Sequence, residues 1–279
     1  MTARKNNICF ESMIDEFCDK SDLNRFDGYR IFDAPLFGYG SPEDPKYMGF
    51  RDNKEAHLPY LILPKEWNPK AAAVVSVFLP FSKRIRESNR GGKTGSAEWA
   101  VGRVEGQSFI VELAKYVVGK MTDDGFTTIS PSVDSRMHVV GLDEKDPFFP
   151  PGVHFTSTWS ERHNAFICGL GTFGLSKGII TEKGMAGRLV SFITEAKFEP
   201  TPRRYEGLYD YCIKCNACVR NCPVGAIDPV NGKDHMKCAG AIAESKKILQ
   251  PRYGCGKCQV KTPCEDKNPS AGKHKAASK

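Results

Sequence analysis

Eight of the eleven cysteines in this 279-residue chain fall between positions 212 and 264, and their spacing is the strongest chemical signal in the sequence. Cys212-Ile-Lys-Cys215-Asn-Ala-Cys218-Val-Arg-Asn-Cys222-Pro223 fits C-x2-C-x2-C-x3-C-P without a mismatch, the spacing of two-cluster bacterial ferredoxins. A tight loop of this kind presents three thiolates to three irons of one cubane, and the fourth serves the other cluster after the chain has turned at Pro223. Val224, Gly225 and Ala226 are small enough to let the backbone approach inorganic sulfide. The remaining four cysteines, Cys238, Cys255, Cys258 and Cys264, read C-x16-C-x2-C-x5-C. The crossing rule then predicts one 4Fe-4S cluster on Cys212, Cys215, Cys218 and Cys264, and a second on Cys222, Cys238, Cys255 and Cys258. Two zinc sites are the competing reading, because they also use C-x2-C pairs; a third thiolate only three residues on, followed by Cys-Pro, suits a cubane better.

Thiols free for metal work belong in a reducing compartment. The N-terminal stretch MTARKNNICFESMIDEFCDK has neither an apolar signal core nor a twin-arginine pair. The longest apolar run, Ala71 to Phe81, spans about eleven residues, against the roughly 20 needed to cross a bilayer. A cytoplasmic protein without a membrane partner is expected. With 40% hydrophobic and 26% charged residues the chain has ordinary globular composition, enough for one large or two modest domains. From Thr201 onward 15 Lys and Arg face 7 Asp and Glu, whereas the first 200 residues are close to neutral. The positive excess therefore surrounds the cysteines, where thiolate clusters would absorb part of it, and nucleic acid is an unlikely partner on charge alone.

The elements that must position this chemistry are legible in part. Residues 1 to 70 read as loop-rich, with no clear period and many prolines. Ala72 to Leu79, AAVVSVFL, reads as a buried strand. Ile110, Leu113, Ala114, Val117, Val118 and Met121 mark one face of a helix from about Glu98 to Met121. Thr158 and Glu161 suggest a capping box opening a helix, WSERHNAFIC, that stops at Gly169. Gly178 to Thr181 and Arg188 to Thr194, on either side of EKGMAG, suggest a β-hairpin. Glu199 to Arg204 reads as a linker between residues 1 to 200 and 201 to 279, and Asn268 to Lys279 as a disordered basic tail. Gly169-Leu170-Gly171-Thr172-Phe173-Gly174 matches G-x-G-x-x-G, but it follows a helix and precedes a strand, the reverse of a dinucleotide fingerprint.

The order LPKEWNPKAAAVVSVFLPF, SERHNAFICGLGTFGLSKGIIT, MAGRLVSFIT, the CxxCxxCxxxCP run and YGCGKCQ resembles epoxyqueuosine reductase, a family that shares its architecture with corrinoid-dependent reductive dehalogenases. The resemblance covers roughly residues 58 to 266. It implies an α+β fold: a nitroreductase-like, cobalamin-binding domain over residues 1 to 200, then a ferredoxin-like domain with two 4Fe-4S clusters. FMN is the alternative cofactor. Electrons would come from an external donor such as ferredoxin or flavodoxin and reduce a small-molecule substrate. The segment Gly169, Leu170 and Gly171 corresponds to one that lies close to the corrinoid in relatives, and Arg162, Lys177 and Arg188 would contact its amide or phosphate groups. The family's proton-donating Asp aligns with His154 or Phe155; VDS occurs only at Val133 to Ser135. Proton donation therefore passes to His154, Glu161 or His163. The helical-repeat extension of the longer tRNA-modifying relatives has no counterpart in this sequence, which points the substrate away from tRNA. A flavin-dependent reductase, an electron carrier that reduces a partner's corrinoid, and epoxyqueuosine reductase proper are the other readings. The corrinoid is expected between the loop 169–174 and the cluster of Cys222, Cys238, Cys255 and Cys258, its cobalt facing His154 to His163.

Overall fold

The computed structural model describes residues 3–52, 58–141 and 145–271. Its centre is an antiparallel sheet of four strands, in the order β1 (Leu36–Gly40), β2 (Ala73–Pro80), β6 (Gly187–Thr194) and β3 (Thr128–Ile129). β2 and β6 pair over eight residues, with Val77 opposite Val190 and Ser76 opposite Ser191. Side chains alternate across a strand, so β2 and β6 each serve two faces. Val75, Val77, Leu79, Val190 and Phe192 pack on one face, against α1 (Ala3–Lys20) and α2 (Ala97–Asp123). Val74, Phe78 and Ile193 pack on the other, against Trp159, Phe166 and Ile167 around α3 (Glu161–Ile167). Burial on both sides explains why AAVVSVFL shows no alternation of polarity.

α2 begins one residue before the expected start, where the Ser96 hydroxyl accepts from the Trp99 amide at 3.1 Å. α1 contradicts the loop-rich reading of the N-terminal region. Phe10, Ile14 and Cys18 recur at helical spacing and are buried, a stripe diluted by the charged residues between them.

Four local expectations differ from what the structure shows. The segments 178–181 and 188–194 do not form a hairpin. β5 (Ile179–Thr181) pairs back onto β4 (Gly171–Phe173), while β6 leaves through a turn and joins the large sheet. Lys177, at φ 63°, makes the tight return, and eight paired residues on β2 outweigh the few that a hairpin would offer. The capping box is also absent. Ser160 is the N-cap residue and its hydroxyl meets His163 Nδ1 at 2.7 Å, whereas Thr158 is fully buried and Glu161 turns inward. The stretch 199–204 is tied down: the Thr201 amide donates to the Tyr39 carbonyl at 3.0 Å, and Arg203 pairs with Asp44 at 2.6 Å. Of the expected disordered tail, Asn268 and Ser270 are buried, with Asn268 bound to Glu182. Residues 272–279 lie outside the described residues.

The cysteine-rich segment is gripped at two points. Lys257, buried at 4% exposure, donates to the carbonyls of Asn89 and Gly91. The turn before β6 holds the chain near its end: the Met185 amide donates to the Cys264 carbonyl at 2.9 Å and the Ala186 amide to the Glu265 carbonyl at 3.2 Å. Glu265 itself is buried, accepts from Arg90 at 2.7 Å and from the Lys261 amide at 2.6 Å, and lies 3.7 Å from Arg86. Removing Glu265 leaves Arg86, 12% exposed, and the Lys261 amide without this acceptor, while Arg90, 42% exposed, turns to solvent. Glu265→Ala is expected to cost about 3–5 kcal/mol and Val230→Ala, at 88% exposure, less than about 0.5 kcal/mol, both read as shifts in denaturation midpoint.

Candidate metal centres

Left-handed residues shape the first cysteine loop. Lys214 (φ 51°) and Asn216 (φ 58°) bend the chain so that Cys212 and Cys215 precede, and Cys218 opens, the short helix α4 (Ala217–Asn221). Cys222 caps that helix in an extended conformation and leads away. The result is two separate cavities. Cys212, Cys215, Cys218 and Cys264 line one, beside Gly174, Leu175, Ser176 and Met185. Cys222, Cys238, Cys255 and Cys258 line the other, beside Trp99, Ala226 and Lys257. Cys238 arrives on α5 (His235–Ile248), whose N-cap Asp234 accepts from the Lys237 amide at 2.9 Å. The Ala226 amide points at the Cys222 sulfur at 3.2 Å. Gly256, at φ 63°, lies flat against Trp99, where a Cβ would sit 1.9 Å from the indole. Only glycine fits between Cys255 and Lys257.

Burial pushes the Cys264 thiol up to about 11 and the Cys258 thiol up to about 12. Such thiols ionise when a cationic centre replaces the hydration they have lost. Among the described residues no three His, Cys, Asp or Glu side chains converge on one point that could hold a single ion. Zinc draws its ligands to about 2.3 Å, whereas a polynuclear core accepts thiolates set further apart.

Of the residues that the resemblance assigns to a corrinoid, Arg162 and Lys177 lie together beside His163, and Arg188 lies apart. Gly171 is buried in the β4–β5 pair, its amide bound to the Tyr205 hydroxyl at 3.1 Å, and a Cβ there would lie 1.9 Å from the Ile180 carbonyl oxygen. Leu170 packs against Gly38, and Gly169 (φ 82°) against Thr201. These glycines permit close packing within the fold. Gly174 to Ser176 border the cavity of Cys212, Cys215, Cys218 and Cys264, and the Ser176 carbonyl accepts from Lys233, which lines the second cavity, at 3.4 Å. Arg162 donates to the Lys177 carbonyl at 2.9 Å, and Lys177 bonds the Tyr209 hydroxyl. Arg188 lies on the opposite side of the sheet, facing Gln107 of α2.

The three proton-donor candidates separate as well. His154 is exposed in the loop that leads to the short strand Thr156–Ser157. His163 sits between the rings of Phe50 and Phe173, at 4.8 and 4.9 Å, and burial with nearby Arg162 and Lys177 lowers it to about 3. It is a neutral imidazole at pH 7 and carries no imidazolium proton to give. Glu161 has both oxygens buried, and burial raises its carboxyl to about 7 against the opposing effect of hydrogen bonding from Ser191. It is the member of the set that exchanges a proton near neutrality. Trp99, Arg103 and Tyr253, which shape the space beside the second cavity, carry no motif; their places on α2 and before Cys255 emerge only when the chain closes.

Residues 208–228 match the family described as 4Fe-4S binding domain. Over 117 residues, 37% of this chain, the sequence is 32% identical to epoxyqueuosine reductase of Francisella cf. novicida, and the match spans 31% of that protein. A crystal structure of epoxyqueuosine reductase with an epoxyqueuosine-modified tRNA-Tyr stem loop superposes with a TM-score of 0.52 at 18% identity, covering 95% of this chain and 70% of that one. A catabolic reductive dehalogenase in complex with 3-bromo-4-hydroxybenzoic acid gives 0.50 at 16% identity, covering 85% of this chain and 30% of that one. The chain thus spans about a third of the length of the curated relative, carries a 4Fe-4S binding domain, and has a mixed helix and sheet fold similar to epoxyqueuosine reductases and reductive dehalogenases.

Proposed function

We propose that this chain is an iron-sulfur reductase that binds two 4Fe-4S clusters and passes single electrons from an external ferredoxin- or flavodoxin-like donor to a small-molecule substrate. The observation that carries this reading is the division of eight cysteines, four to each of two cavities. The 4Fe-4S match over residues 208–228 supports it. Cys212, Cys215, Cys218 and Cys264 would hold one cluster, and Cys222, Cys238, Cys255 and Cys258 the other; when bound, the clusters supply one-electron transfer. Lys257 sets a fixed cation in the lining of the second cavity, near Cys255, and the Ala226 amide donates toward the Cys222 sulfur. Glu161 holds an exchangeable proton within the folded core.

Of the contacts that the resemblance assigns to cobalamin, Arg162 and Lys177 lie together, whereas Gly169, Leu170 and Gly171 are packed within the fold and Arg188 lies on the other face of the sheet. Action on epoxyqueuosine in tRNA is the second reading, favoured by the fold shared with a reductase solved on a modified tRNA stem loop.

Anaerobic reconstitution is expected to give about eight irons and eight sulfides per chain, with Cys218→Ala losing one cluster's share. Stoichiometric zinc with negligible sulfide rejects the reading. Cobalamin or FMN that survives gel filtration identifies the terminal acceptor, and retention of neither favours an electron carrier. Conversion of epoxyqueuosine in tRNA at physiological salt assigns the second reading; otherwise tRNA binding is expected to be weak and to fall steeply with salt.

A separate pH dependence follows from Glu161. Its folded pKa of about 7 exceeds the ordinary 4.5, so the folded state binds the extra proton between these values and stability falls as pH rises through that window. Glu161→Gln is expected to flatten this decline, stabilising the protein at pH 8 relative to wild type while leaving it nearly unchanged below pH 4.5. An unaltered pH profile of the melting temperature would falsify the assignment.

A further inference from the structure

We infer that the cleft between α2 and the start of β6 is a binding site for an oxyanion, a phosphate or carboxylate group carried by a small ligand. The cleft is a cavity of about 480 Å³, lined among others by Arg103, Gln107, Val104 and Val111 of α2, Arg188 of β6, and Tyr253. Arg188 alternates with Val190 and Phe192 and so faces α2, where its guanidinium donates to Gln107 Oε1. Arg103 stacks over the Tyr253 ring at 4.7 Å.

Guanidinium groups whose Nε–H is buried normally come with carboxylates. Here one carboxamide oxygen is the whole provision. The Nε–H of each arginine is buried without an acceptor, and neither arginine pairs with a carboxylate among the described residues. Glu112, the one acidic residue on the lining, is engaged by Lys115 at 2.8 Å, and Glu105 by Arg252 at 2.6 Å. Burial and the neighbouring Arg103 lower Arg188 to about 10, as expected of like charges left facing each other. Donors buried without acceptors are costly, and the planar fork of a guanidinium matches phosphate and carboxylate oxygens. An oxyanion between the two arginines would satisfy both and remove their repulsion, while Val104 and Val111 offer an apolar wall to the rest of the ligand.

Arg103 also borders the cavity of Cys222, Cys238, Cys255 and Cys258. Joined to the reductase reading, on which this step rests, the site makes the substrate a small molecule with an anionic handle and places it beside the second cluster. The anion site itself does not depend on that reading.

The test is isothermal calorimetry on the anaerobically prepared protein, with inorganic phosphate and, separately, benzoate. Saturable binding of one of them is expected, and their ranking identifies the anion chemistry. Arg103→Gln and Arg188→Gln should each weaken it roughly ten- to a hundredfold with iron content unchanged. Gln107→Glu, which supplies Arg188 with a carboxylate from within, should keep or raise the melting temperature and abolish anion binding. Binding of neither anion, or undiminished binding in both arginine variants or in Gln107→Glu, overturns the site. Anion binding by protein that holds zinc instead of iron and sulfide leaves the site standing and removes the reductase reading; iron and sulfide without anion binding does the reverse.

Discussion

The architecture around the two cysteine cavities depends on one buried carboxylate. Glu265 gathers Arg90, Arg86 and the Lys261 amide, and its own carbonyl receives the amide of Ala186 at the root of β6. Its neighbour Cys264 is thereby pressed against Met185 and completes a cavity whose other three thiols lie more than forty residues earlier. An ion pair at the surface would be worth little. Buried at 3% exposure and served by several donors, this carboxylate fixes where a distant segment docks. The β2–β6 pairing underneath supplies the rigid base, because its two faces are both covered and its register admits no slip.

Where the sequence was legible, one dominant period or spacing stood alone. β2 followed from eight apolar residues in a row, α2 from its buried stripe ending at Met121, and the cysteine loop from ligands that must be local. Where it was not, a competing partner lay far along the chain. A hairpin at 178–194 satisfied every local rule, but β5 found Gly171–Phe173 and β6 found Ala73–Pro80. The glycines at 169 and 171 looked like places for a ligand to approach, whereas Thr201 and the Ile180 carbonyl occupy that space. Arg103 gave no signal, because its partner Arg188 is 85 positions away and no motif connects them.

Electrostatics divides the molecule differently from its hydrophobic cores. On the face of the sheet toward α3, burial raises an acid to about 7 and keeps an imidazole neutral, as Glu161 and His163 illustrate. In the cysteine-rich part, burial keeps thiols protonated until a cationic core arrives, with Lys257 beside them already anchored on main-chain carbonyls. Charge is thus tolerated in the interior where a neutralising partner is supplied, and suppressed where it is not.

The fourth thiol of the first cavity lies at position 264, whereas the other three stand at 212, 215 and 218. During synthesis the first three leave the ribosome before their partner has been joined to the chain. At about 5–20 residues per second, an incomplete pocket persists for seconds. β2 and β6 can pair within that interval, since both precede the cysteines, so the scaffold is in place before either cysteine cavity can close. Assembly order is therefore written into the chain: the framework forms first, and the cysteine-rich segment closes its cavities against walls already built.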